Sequence, residues 1–157
     1  MGTDLTYLKI NGQWQYLATV MDQYSRRIIG RSLSSTRTTA LTRATLQYAL
    51  KKRGYPTGIV FHADRGIEYT GSAFQTSLKQ WDCKRRLNRP GYCTDNAFME
   101  SFYHSLKAEL IRGTLFKRVK ALRSALAKYI SQFYNAVRLH SGIEYMSPID
   151  YEHGLIP

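Results

Sequence analysis

Gly58-Ile59-Val60-Phe61-His62-Ala63 reads as a short buried strand. What precedes it decides the fold. Residues from about Thr39 to Arg53 read as a helix, with Thr38 or Thr39 as cap and Gly54-Tyr55-Pro56 as its end. A helix between strands suggests a crossover, and a crossover lays the second strand parallel to its neighbour.

Working toward the start, three strands with short connections form an antiparallel meander. Asp4-Leu5-Thr6-Tyr7-Leu8-Lys9-Ile10 runs into the turn signal Asn11-Gly12. Trp14 to Met21 is apolar on both parities at its end, which suits a central strand covered on both faces. Arg27 to Leu33 follows a second turn, Asp22-Gln23-Tyr24-Ser25. Working toward the end, a short helix (about Ser72 to Trp81) and a strand (Cys83 to Leu87) precede a loop, Asn88 to Thr94. Thr94 or Asp95 is expected to cap a helix reaching about Arg112. Its residues Met99, Phe102, Tyr103, Leu106 and Leu110 share one face, and Glu100, His104, Lys107 and Ile111 share another. A last long helix carries an apolar stripe from Val119 to Val137, and Leu139 to Pro157 reads as irregular. The expectation is a single α/β domain over residues 1–157, with a five-stranded mixed sheet flanked by helices.

The chain has 157 residues, with 23 Lys+Arg against 11 Asp+Glu, for a formal charge of +12. That balance favours polyanions, and nucleic acid is the usual one. No apolar run approaches the ~20 residues of a membrane span, so no membrane partner is expected. Two cysteines, Cys83 and Cys93, form neither a disulfide framework nor a zinc site, and a reducing cytoplasm fits them.

Within this basic chain three carboxylates sit on separate elements: Asp4 on the first strand, Asp64 directly after the buried strand, and Glu100 one turn into a helix, with 35 residues between the last two. Cleavage of a phosphodiester needs charge stabilised on both the attacking and the leaving oxygen, and two divalent metals can supply it. Mg²⁺ takes hard oxygen ligands and keeps several waters, so two or three converging carboxylates suffice. Lys107, two turns after Glu100, would stand beside the acids. Taken singly each residue has a plainer reading: Asp4 as a solvated acid, Asp64 as a turn residue, Glu100 as an acid favoured by the helix dipole, Lys107 as a solvated helix partner. His62, just before Asp64 on a strand, is expected to face away from the acids and to serve structure.

Three segments bring a resemblance to bear. His62-Ala63-Asp64-Arg65-Gly66-Ile67-Glu68-Tyr69-Thr70, the run from Asp95-Asn96-Ala97-Phe98-Met99-Glu100 to Leu110, and Tyr134-Asn135-Ala136-Val137-Arg138-Leu139-His140-Ser141-Gly142-Ile143 resemble the integrase-type catalytic core of bacterial insertion-sequence transposases, closest to the insertion-sequence-three family. That core is similar to retroviral integrase. The likeness implies a ribonuclease H-like fold and an Asp-Asp-Glu metal site at Asp4, Asp64 and Glu100. It implies Mg²⁺ or Mn²⁺, two ions per active site when DNA is bound. DNA is the implied partner, both element ends and target. A homo-oligomer of at least two copies is expected, in the bacterial cytoplasm and on the nucleoid when active. Lys107 is implied as a DNA contact. Arg65, Arg89, Tyr92, Arg138 and His140 are further basic and aromatic candidates for it. Asp22 matches a recurrent acid that is not counted among the metal ligands. Ala63 stands where Ser is common and Thr94 where an aromatic is common. Family members carry DNA-binding helices upstream, and the chain opens almost at Asp4, so an excised core or truncated copy is expected. The alternative function is a silent DNA-binding remnant.

Overall fold

The computed structural model describes residues 1–63, 66–87 and 96–154. Five strands form one mixed sheet in the order β3-β2-β1-β4-β5. They are β1 (Gly2–Ile10), β2 (Gln13–Met21), β3 (Ile28–Ser34), β4 (Ile59–Ala63) and β5 (Cys83–Leu87). β1 to β3 are the expected antiparallel meander. β4 lies parallel to β1, and β5 parallel to β4. The crossover into β4 is α1 (Thr39–Lys52), which Thr38 caps by accepting the Leu41 N–H. Among the described residues no helix is long and apolar enough to cross a membrane.

Each face of the sheet carries its own core. On one, Leu8, Leu17, Met21 and Ile28 pack against α4 (Ala97–Leu106) and α5 (Val119–Lys128), through Met99, Phe102, Tyr103, Leu106, Leu122 and Leu126. On the other, Val20, Ile29 and Phe61 pack against α1 and against α3 (Ser72–Gln80), with Tyr69 of the short α2 (Ile67–Thr70). β2 therefore buries both parities, as its sequence requires. α1 approaches β3 so closely that a Cβ at Gly30 would lie 2.7 Å from the Thr45 carbonyl oxygen.

Several local features depart from expectation. α2 was not expected; four residues are too few to show a period. The helix from α4 loses its α pitch at Leu106 and continues as a π turn, Lys107–Ile111. The wider turn rotates the residues after it, so Ile111 packs, partly buried, beside Leu110 against the core instead of lining up with Glu100. A second π turn, Tyr129–Tyr134, follows α5. Finally, the tail expected to be irregular from Leu139 carries a 3₁₀ turn (Ser141–Ile143) and α6 (Pro148–His153). Ser147 caps α6 by accepting the Asp150 N–H at 3.2 Å, and Pro148 supplies the preset first position. The expected caps Thr94 and Asp95 lie outside the described residues, as does the expected loop from Asn88; Asn96 precedes the helix.

Candidate metal and DNA site

Asp4 is half-buried on β1, opposite Thr19 of β2. Paired residues share a face, so Asp4 stands on the α4 side of the sheet with Thr19. From α4, Tyr103 reaches the same place. Its hydroxyl donates to the Asp4 carbonyl at 2.7 Å and lies 2.7 Å from the Thr19 hydroxyl. With one phenolic proton available, Thr19 is the donor in the second bond. Burial, and then the charge of Asp4, push the Tyr103 pKa well up, so the phenol keeps its proton. Glu100 is exposed one turn before Tyr103 on the same helix. Two of the three acids are thus on elements tied directly to each other.

β4 ends at Ala63, and the next residue in sequence is Asp64, which lies outside the described residues. His62 pairs with Gly2, two residues before Asp4. Residues two apart on a strand share a face, so His62 lies on the Asp4 side, while Phe61 and Ala63 belong to the opposite core. This corrects the expectation that His62 turns away from the acids. Among the described residues no three His, Cys, Asp or Glu side chains gather into a metal cluster. Asp4 and Glu100 offer the hard carboxylate oxygens that Mg²⁺ prefers.

Of the expected DNA contacts, Arg65, Arg89 and Tyr92 fall outside the described residues. Lys107 opens the π turn, with its Nζ 5.1 Å from the centre of the exposed Tyr7 ring on β1. Arg138 forks onto Glu109, donating to Oε1 from Nη2 at 3.0 Å and from Nε at 3.1 Å, and also to the Ser105 hydroxyl at 3.1 Å. Burial raises the Glu109 pKa, but the bonds from Arg138 and Tyr129 outweigh it and leave the carboxyl below its ordinary range. His140 stands edge-on to Tyr134, 4.7 Å between ring centres. Burial, then the charge of Arg138, lowers its pKa, so the imidazole is neutral at pH 7. Both residues line a cavity of about 580 Å³ that reaches Phe98 and Ser101 of α4. Asp22, expected at the end of a strand or in the turn that follows it, comes directly after β2 and pairs with Arg53 at 3.1 Å.

Two residues with roles here look, in sequence, like core or motif letters only. Helical spacing puts Tyr103 in an apolar stripe, yet a buried phenol requires a partner. Asn135 pairs with the start of β3, accepting the Ile28 N–H and donating to the Ile28 carbonyl, both at 2.9 Å.

Residues 1–93 and 82–148 each match the integrase core domain family. Over 150 residues the chain is 39% identical to transposase InsF of insertion sequence IS3A from Escherichia coli K12, covering 96% of this chain and 52% of that protein. It is also 39% identical to the transposase of insertion element IS904 from Lactococcus lactis, covering 95% and 59%. The chain therefore spans little more than half the length of these relatives. Among solved structures, the catalytic core domain of HTLV-2 integrase in complex with magnesium, in its dimeric form, superposes with a TM-score of 0.76 at 18% identity, covering 97% of this chain and 94% of that one. The simian T-cell lymphotropic virus intasome gives 0.78 at 18% identity, covering 99% and 55%. These likenesses extend to the whole sheet and its helices the ribonuclease H-like architecture expected from the sequence. The chain belongs to the integrase core domain family.

Proposed function

We propose that this chain is the catalytic core of a transposase that cuts and joins DNA through Asp4, Asp64 and Glu100. One observation carries the proposal: the buried Tyr103 hydroxyl bonds the Asp4 carbonyl, which ties the helix bearing Glu100 to the strand bearing Asp4. β4, which leads into Asp64, is the sheet neighbour of β1. The relatives named as transposases and the formal +12 charge support DNA as substrate.

Divalent magnesium or manganese, two ions when DNA is bound, would be held by the three carboxylates and would supply positive charge at the attacking and leaving oxygens. The residues position the reaction. Water attacks phosphorus at the element's end, the P–O3′ bond breaks, and a 3′-hydroxyl is freed. That hydroxyl then attacks a second phosphodiester, forming a new P–O3′ bond and releasing another 3′-hydroxyl. Positioning and charge stabilisation suffice for both steps, with no covalent protein intermediate. Lys107 and Arg138 are proposed to hold backbone phosphates, and Arg65, Arg89, Tyr92 and His140 to border the same DNA path. We read residues 1–157 as one domain that works in the bacterial cytoplasm as a homo-oligomer, at least a dimer. The test is strand transfer from a pre-cut DNA end in Mg²⁺ or Mn²⁺. Glu100→Gln should lower it by at least a hundredfold and leave the fold intact. Undiminished transfer by that variant would refute the assignment.

A further inference from the structure

Phe98 and Ser101 flank Glu100 on α4, and with Arg26, Arg138, Ser141 and Tyr145 they line the 580 Å³ cavity. Two guanidiniums and two hydroxyls converge there. Their charges are not equally matched. Arg138 is forked onto Glu109. Arg26 has no ion pair among the described residues. Its guanidinium lies 3.3 Å from the centre of the Phe98 ring.

Its backbone, in the turn between β2 and β3, is uncommon. Arg26 has a φ of 64°, in the left-handed region that non-glycine residues seldom adopt. Space is kept as well. A Cβ at Gly142 would lie 3.0 Å from the Arg26 guanidinium. At the rim, Tyr145 is also left-handed, with φ 57°, and is 70% exposed. Strained residues held in place by their surroundings gather at ligand clamps. A guanidinium without a carboxylate, beside a second one and two hydroxyls, presents the donor set of a phosphate. An exposed ring at the rim presents a stacking surface for a base.

We infer that this cavity takes one nucleotide of the DNA strand on which Glu100 acts. Its phosphodiester sits between Arg26 and Arg138, within reach of Ser101 and Ser141, and its base lies against Tyr145. The inference rests on the function proposed above and names a substrate contact for it.

The test scans a pre-cut duplex in which each phosphate near the reacting 3′ end is replaced, one at a time, by a neutral methylphosphonate. One position should weaken binding by the wild-type chain about tenfold. The same position should cost Arg26→Asn nothing further, since asparagine tolerates the left-handed backbone but removes the charge. Arg26→Asn should bind the unmodified duplex about tenfold more weakly, with a salt slope shallower by about 1. Should Arg26→Asn not fold, Gly142→Ala, whose Cβ displaces the guanidinium, replaces it in the same scan. Wild-type affinity and salt slope in the variant, or equal losses for both proteins at every position, would overturn the site. If the wild-type chain joins DNA but shows no Arg26-dependent phosphate, the cavity alone is wrong. If the wild-type chain neither binds nor joins DNA, the function proposed above falls first.

Discussion

The Tyr103 hydroxyl and the Asp4 carbonyl are 2.7 Å apart, and this bond joins the Glu100 helix to the first strand of the sheet. Tyr103 is itself buried, and the bond is directional and adjacent to a carboxylate proposed to bind metal. Tyr103→Phe would leave both the Asp4 carbonyl and the Thr19 hydroxyl short of a partner. Loss of a buried bond of this kind costs about 1–3 kcal/mol. Chemical denaturation should show that loss with an unchanged slope. Strand transfer should fall about tenfold or more at temperatures where the variant remains folded. A variant that loses stability but transfers at the wild-type rate would separate Tyr103 from the site.

Asn135 gives a second prediction. Its amide mimics a strand partner for Ile28, satisfying both backbone groups of that residue at the sheet edge. Asn135→Ala would orphan a donor and an acceptor, and Asn135→Asp would bury a charge while losing the donor. Both should destabilise by about 2–4 kcal/mol in equilibrium unfolding. A loss under 0.5 kcal/mol would show that water replaces the amide.

Gly30 marks where α1 and β3 touch. A methyl group there would overlap the Thr45 carbonyl, which the helix cannot move without losing its own bonds. Gly30→Ala should cost about 1–3 kcal/mol, readable as a lower denaturation midpoint.

The C-terminal α6 is fastened by an ion cluster. Glu152 accepts from Ser25, Arg27 and Arg53, and Arg53 also pairs with Asp22. Burial raises the Glu152 pKa, but the hydrogen bonds from Arg53, Ser25 and Arg27 together outweigh it and hold the carboxyl at about 2. Its folded pKa therefore lies below its unfolded one, near 4.3. The stability this adds is complete above the unfolded value and is lost as pH falls from there through about 2. Unfolding free energies between pH 6 and pH 2 should fall by on the order of 3 kcal/mol more for the wild type than for Glu152→Gln. Parallel pH profiles would remove Glu152 from the account.

Much of the fold could be read from patterns with a direct physical cause. β2 is apolar on both parities because it is covered on both faces, and α1 carries its cap at Thr38. The parallel placement of β4 followed from the helix before it. What escaped was set by packing rather than spacing. The π turn at Lys107 keeps the same apolar letters and changes only which of them face inward. α6 did carry its signals, Ser147 and Pro148, but its six residues are too few to show a period. At the site, sequence singled out the acids, and the structure supplied what sequence does not encode locally: Tyr103 reaching across from another element, and Arg26 held over Phe98. The side His62 takes is legible in the sequence too, since a strand's two-residue repeat and its pairing with Gly2 put it on the Asp4 face, against the expectation above.

Carboxylates from three elements are proposed to hold the metal together. The decisive experiment is a crystal structure of the chain with Mn²⁺ and a pre-cut DNA end, with anomalous scattering to locate the ions. Peaks ligated by oxygens of Asp4, Asp64 and Glu100 at about 2.1–2.2 Å are expected. Manganese bound elsewhere, with these three side chains opening onto separate surfaces around the DNA, would rule out a shared metal site.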